Sequence, residues 1–118
     1  MLFRSKVPVE LIVNGEPIET VEIDADGDVH KISFRHEIEQ SSWVALRIYP
    51  SAHTNPMFVM VDGKPIRANK RSAEWCRAAV DQCWEMKSPR IRESDLDEAR
   101  AAYNYAREVY DKIIAESM

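Results

Sequence analysis

The stretch Val7-Pro8-Val9-Glu10-Leu11-Ile12-Val13-Asn14-Gly15 decides the fold class. Val7, Val9, Leu11 and Val13 recur at every second residue, the period of a strand with one face turned to a core. Asn14-Gly15 follows directly, and both residues tolerate the positive φ that a two-residue turn between antiparallel strands demands. The chain returns from Ile18 to Asp24, with Val21 and Ile23 on one face. A hairpin this early makes the sheet antiparallel.

Alternation continues downstream. Asp24-Ala25-Asp26-Gly27-Asp28 is an acidic turn. It lacks the ligand spacing of a calcium loop, because Arg35 stands where the closing Glu would be. Residues 29–38 predict a third strand, with His30, Ile32, Phe34, His36 and Ile38 on one side. Residues 42–49 predict a fourth, with Val44, Leu46 and Ile48 opposite Trp43, Ala45, Arg47 and Tyr49. After the loop Pro50–Pro56, the apolar run Met57–Val61 and Asp62-Gly63 predict a second hairpin returning through Lys64-Pro65-Ile66.

Beyond Arg67 the period changes to that of a helix. Ser72 is the expected N-cap, and Ala73, Cys76, Val80, Cys83 and Trp84 form the apolar stripe. Pro89 ends this helix. A second begins at Ser94, with Asp97 in a variant capping box, and carries Leu96, Ala99, Tyr103, Ala106, Tyr110 and Ile113 on one face. Glu108 and Lys112 are spaced to pair on the outer face. The short Pro-containing connection predicts an antiparallel helical hairpin. The expected class is α+β, with residues 1–118 as a single domain: a strand part, 1–68, and a two-helix part, 69–118.

Composition narrows the function. Net charge is −4 and the pI about 5.4. A nucleic-acid partner is not expected, since phosphate neutralisation favours a basic stripe; the densest basic run, Lys64, Arg67, Lys70 and Arg71, reads as a solvated loop. No stretch approaches the roughly 20 apolar residues of a membrane span, and Met1–Lys6 lacks a signal-peptide core. Cys76 and Cys83 share a helix face roughly 10 Å apart, beyond the about 7 Å a disulfide tolerates, so both read as packed thiols.

Chemistry-bearing groups are sparse. His30 and His36 are roughly 20 Å apart along an extended strand and cannot share a metal. The most unusual stretch is Ser51, His53, Thr54 and Asn55 between two prolines. A small hydrolase centred on His53 would need an orienting carboxylate and an oxyanion hole. The chain has three glycines and no G-x-S-x-G, so a self-bonded loop is the preferred reading. Trp43, Trp75 and Trp84 with Tyr49 are candidates for a sugar-stacking platform. No P-loop, dinucleotide fingerprint or H-E-x-x-H is present. No catalytic residue, metal ligand or cofactor is assigned.

Three runs carry a family resemblance: Ser41-Ser42-Trp43-Val44-Ala45-Leu46-Arg47-Ile48 with Pro50–Pro56; Gly63-Lys64-Pro65-Ile66-Arg67-Ala68 with Arg71-Ser72-Ala73-Glu74-Trp75-Cys76; and Val9–Gly15. Together they resemble the C-terminal region of the CehA/McbA (carbaryl-hydrolase-like) metallohydrolases, over about Lys6 to Glu116. The resemblance implies an Ig-like antiparallel β-sandwich followed by a helical hairpin. It places the catalytic metals in an upstream PHP-type domain, so no ligand is carried over to this chain. Members of that family have further strands just before the position of Met1, so the resemblance implies a sandwich incomplete at its N-terminal edge, as in a piece of a longer protein.

The expected role is a non-catalytic accessory domain that packs on the upstream catalytic domain or on another copy through an open sheet edge. A carbohydrate- or other ligand-binding module and the His53-centred metal hydrolase are the alternatives. Val44, Leu46, Ile48, Phe58, Met60, Trp75, Val80 and Tyr103 are the expected core. Trp43, His53, Asn55, Arg67 and Trp75 are the candidate residues of an organised loop-and-helix corner.

Overall fold

The hairpin at Asn14-Gly15 forms as its residues dictate, with φ of 51° and 90°. It joins β1 (Ser5–Val13) to β2 (Glu16–Ala25), in register from Ser5↔Ala25 to Val13↔Glu16 with one irregularity at Leu11/Ile12. The computed structural model describes residues 5–118; of the N-terminal stretch Met1–Lys6 discussed above, residues 1–4 lie outside the described part. The other edge of β1 pairs with β3 (Ser42–Ile48), Leu11 opposite Leu46 and Val13 opposite Val44. Two short strands share the far edge of β3: β4 (Ala52–His53) beside Arg47 and Ile48, and β5 (Met57–Val59) beside Ser42 to Val44. The result is an open five-stranded antiparallel sheet, followed in sequence by two helices, an α+β architecture.

The helices are α1 (Lys70–Lys87) and α2 (Leu96–Glu116), linked through two 3-10 turns, Ser88–Arg90 and Glu93–Asp95. Pro89 lies in the first of these turns, where α1 has ended. Two compact units result, Met1–Ile66 and Arg67–Met118. No helix among the described residues is long and apolar enough to cross a membrane.

Several expectations are corrected. Residues 29–39 form no strand, though they run without a turn or bend. Their alternation is real, since Ile32, Phe34 and Ile38 are half-buried while Lys31, Ser33, Arg35 and Glu37 are exposed. What is missing is a ladder. Asp62 and Gly63 make the predicted positive-φ turn, closed by Lys64 N–H to the Val61 carbonyl at 3.1 Å, but Lys64–Ile66 do not return as a strand. Asn69, not Ser72, caps α1: its side-chain oxygen accepts from the Ser72 N–H at 3.0 Å, starting the helix a turn earlier. Ser94 falls in the 3-10 turn, and Asp95 occupies the position before α2. Lys112 approaches Glu116 at 4.0 Å rather than Glu108.

The core is also smaller than expected and displaced toward β1. The buried apolar residues of the strand unit are Val9, Leu11, Ile12 and Ala45, and that of the helical unit is Ala73. Val44, Leu46, Ile48, Val80 and Tyr103 are half-buried, whereas Phe58, Met60 and Trp75 are 67%, 53% and 73% exposed. Apolarity put them on the core list, but β5 is an edge strand with one neighbour, so Phe58 has little to pack under.

Candidate functional site

Directly opposed residues of an antiparallel pair project from the same face. The pairs Trp43↔Phe58, Ile12↔Ala45, Glu10↔Arg47 and Arg47↔His53 therefore collect Ile12, Trp43, Ala45, Arg47, His53 and Phe58 on one side of the sheet. There they surround an open cavity of about 560 Å³, with Gly15, Thr54 and Pro56 also in its lining. A Cβ at Gly15 would make only ordinary contact with Trp43 Cζ2, at 3.8 Å, so what this position asks of glycine is its φ of 90°.

Two polar clasps hold this face in place. The Asn14 side-chain oxygen accepts from the Trp43 N–H at 3.1 Å, its Nδ2 donates to Ser42 Oγ at 3.0 Å, and its own N–H donates to the Trp43 carbonyl at 3.0 Å. Ser41 Oγ accepts from the Val61 N–H at 2.8 Å and donates to the Lys64 carbonyl at 2.7 Å, which anchors the Asp62-Gly63 turn to the start of β3. Buried Ser41 and Ser42 are thus satisfied. The short-range signal for Asn14 was its turn propensity; its bond to a residue 29 positions away was not legible.

On the rim, Arg47 reaches Glu10 at 2.7 Å and lies 5.3 Å from the centre of the Tyr49 ring. Thr54 extends the β4 pairing: its N–H donates to the Leu46 carbonyl at 2.9 Å and its Oγ1 accepts from the Leu46 N–H at 3.0 Å. His53 Nδ1 lies 3.0 Å from the Thr54 carbonyl. A carbonyl only accepts, so Nδ1 donates here, and in the neutral tautomer this leaves Nε2 as an acceptor. This matches the self-bonded loop expected there. Such an imidazole can accept a hydrogen bond from a ligand hydroxyl. No carboxylate or thiol bonds to it among the described residues, and no three His, Cys, Asp or Glu side chains converge there into a metal cage.

Of the five candidate corner residues, Trp43 and His53 share the cavity. Asn55 is exposed on the adjoining loop. Arg67 and Trp75 belong to the helical unit. Arg67 pairs with Glu116 at 2.9 Å, and its carbonyl accepts from the Met118 N–H. Trp75 borders a groove of about 450 Å³ along the helical hairpin, with Cys76, Ala79, Cys83, Tyr103 and Ala106.

Inside the hairpin, Trp84 and Tyr103 rings meet at 4.9 Å, and Tyr103 Oη lies 3.1 Å from Cys83 Sγ. That bond, helped by burial, pushes the Tyr103 hydroxyl above its ordinary range. Both cysteines are free thiols. An ionic chain also joins the two helices: Arg77 bridges Asp81 and Asp111, and Arg107 also grips Asp81 at 2.7 Å. The two arginines, Arg107 foremost, hold the Asp81 carboxyl below its usual range.

Fold and site thus define an α+β chain whose open sheet carries an aromatic cavity on one face. No family model, curated protein or solved structure matches it.

Proposed function

We propose that this chain is a non-catalytic accessory domain that packs against a partner domain or subunit, in a protein resembling the metal-dependent hydrolases. One observation carries the interaction role: the apolar surface lacks cover. Met57, Phe58 and Met60 stand exposed in a row at one sheet edge, and Trp75 is exposed beside the hairpin groove. Large apolar side chains left exposed together at a sheet edge mark interaction sites. The hydrolase-like parent rests on the sequence resemblance alone.

The finer architecture is part of the proposal. One sheet is half of an Ig-like sandwich, and residues 29–39, extended over its face, are the beginning of the second layer. Association through an open edge uses the β5 side. The β2 edge carries Glu16, Glu19, Glu22 and Asp24, charges that repel an added strand.

Binding of the dye ANS tests this reading. Enhanced fluorescence with the intact chain, lost in a Phe58→Ser/Trp75→Ser variant that stays folded, is the expected result. A dye-silent protein that purifies with stoichiometric zinc or manganese would overturn it.

A second reading is favoured by the exposed aromatics around the cavity. Tyr49 and Phe58 are both about two-thirds exposed, beside Arg47 and the His53 Nε2 lone pair. Exposed rings with polar groups beside them suit the stacking of a sugar ring. Here the domain is a carbohydrate-binding module, and a glycan array distinguishes it from the first.

A further inference from the structure

From Val29 to Glu39 the chain extends for 11 residues without a turn. Apart from His30, which bonds to Asp26, none of these residues hydrogen-bonds another described residue through main chain or side chain. Holding a segment extended costs about 1–2 kcal/mol of backbone entropy per residue. Three half-buried side chains, Ile32, Phe34 and Ile38, are the only visible return. Beneath them lies an apolar cavity of about 450 Å³, shared with Leu11, Val44, Met57 and Val59 of the sheet. Among the described residues, the layer above the sheet is therefore a single extended segment, with unfilled space against the sheet.

We propose that residues 30–38 are a strand-addition site, and that the occupant is an extended peptide segment of a partner protein pairing antiparallel with them. The main chain supplies roughly one hydrogen bond per paired residue. Inward side chains of the added strand fill the cavity, so alternate residues are apolar and β-branched. The exposed row sets the remaining positions. It reads Lys31, Ser33, Arg35, Glu37, Glu39, positive then negative, and none of its charges is ion-paired among the described residues. An antiparallel partner matches it with a basic residue opposite Glu37 and acidic residues opposite Arg35 and Lys31. The inference rests on the interaction-domain reading and names the partner's chemistry.

The probe is the peptide Val-Lys-Val-Glu-Val-Thr-Ile-Glu-Val, written to lie opposite residues 38 to 30 in turn. Its controls are the same peptide with Lys and Glu exchanged, and two versions N-methylated on alternate residues. Amide exchange of the intact chain, read by NMR, should slow across residues 30–38 when the peptide is added. The charge-exchanged peptide should bind about tenfold more weakly, since three opposed pairs turn repulsive. One of the two methylated versions should lose binding. A Lys31→Glu/Arg35→Glu variant should reverse the charge preference. No protection, protection at Met57–Val59 instead, or a preference indifferent to Lys31 and Arg35 would overturn the proposal. The dye result is independent of it: an ANS-binding chain that ignores the peptide loses strand addition and keeps the interaction role.

Discussion

Replacing Asn14 separates two contributions that the sequence merges into one turn signal. Asn14 holds φ at 51° and also supplies the acceptor for the Trp43 N–H. In Asn14→Ala both are lost. Ala lacks the local side-chain bonding by which Asn tolerates the left-handed region, which costs about 1–2 kcal/mol, and leaving a half-buried N–H without its acceptor costs about 1–3 kcal/mol. The sum is roughly 2–5 kcal/mol. Asn14→Gly removes the strain but not the loss of the acceptor, and it loosens the unfolded chain, so about 1–2 kcal/mol is expected. Asn14→Asp keeps an acceptor and tolerates the conformation, and should cost under about 1 kcal/mol. The assay is urea unfolding followed on the Trp43 indole resonance, which reports the strand unit. With a slope of about 1 kcal/mol per molar urea for so small a unit, the midpoint falls by about 1–2 M for Gly and about 2–5 M for Ala. Equal losses for Ala and Gly would refute the positive-φ contribution. A midpoint for Ala equal to that of the unaltered chain would refute the clasp.

Burial, rather than apolarity, should decide two further truncations. Leu11→Ala, at a residue 5% exposed, should cost about 2–5 kcal/mol, while Phe58→Ala, at one 67% exposed, should change stability by less than about 1 kcal/mol; thermal unfolding of both variants checks the contrast, and comparable losses would mean that Phe58 is covered in solution. The acidic turn should also respond to pH. Asp26 bonds His30 at 2.8 Å, which raises the His30 pKa and lowers that of Asp26. The histidine's contribution is complete below its ordinary pKa of about 6.5 and is lost as pH rises through the raised value. The aspartate's contribution is present above its ordinary range near about 3.9 and is lost as pH falls through the lowered value. An NMR titration of the His30 ring should show a midpoint that drops in Asp26→Asn, because the hydrogen bond to Asp26 is the largest influence favouring the cation. An unmoved midpoint would dismiss the pair.

Much of the candidate site was legible one residue at a time. Trp43 and His53 stood out by type and surroundings, and they do line one cavity. Arg67 and Trp75 stood out for the same reasons, yet they belong to the helical unit. The Glu10–Arg47 pair and the Asn14–Ser42 bond went unread, because each joins residues that only strand register brings together.

Local chemistry by itself determined the β1–β2 hairpin, the two helices and the free state of both thiols. A positive-φ dipeptide, a 3.6-residue stripe and a helical separation act over a few residues and need no distant partner. Tertiary structure alone decided whether residues 29–39 join a ladder, which strand becomes an edge, and therefore whether Phe58 and Met60 are core or surface. Alternation states that a segment is extended and two-faced, and a strand exists only when another main chain comes alongside to share its hydrogen bonds.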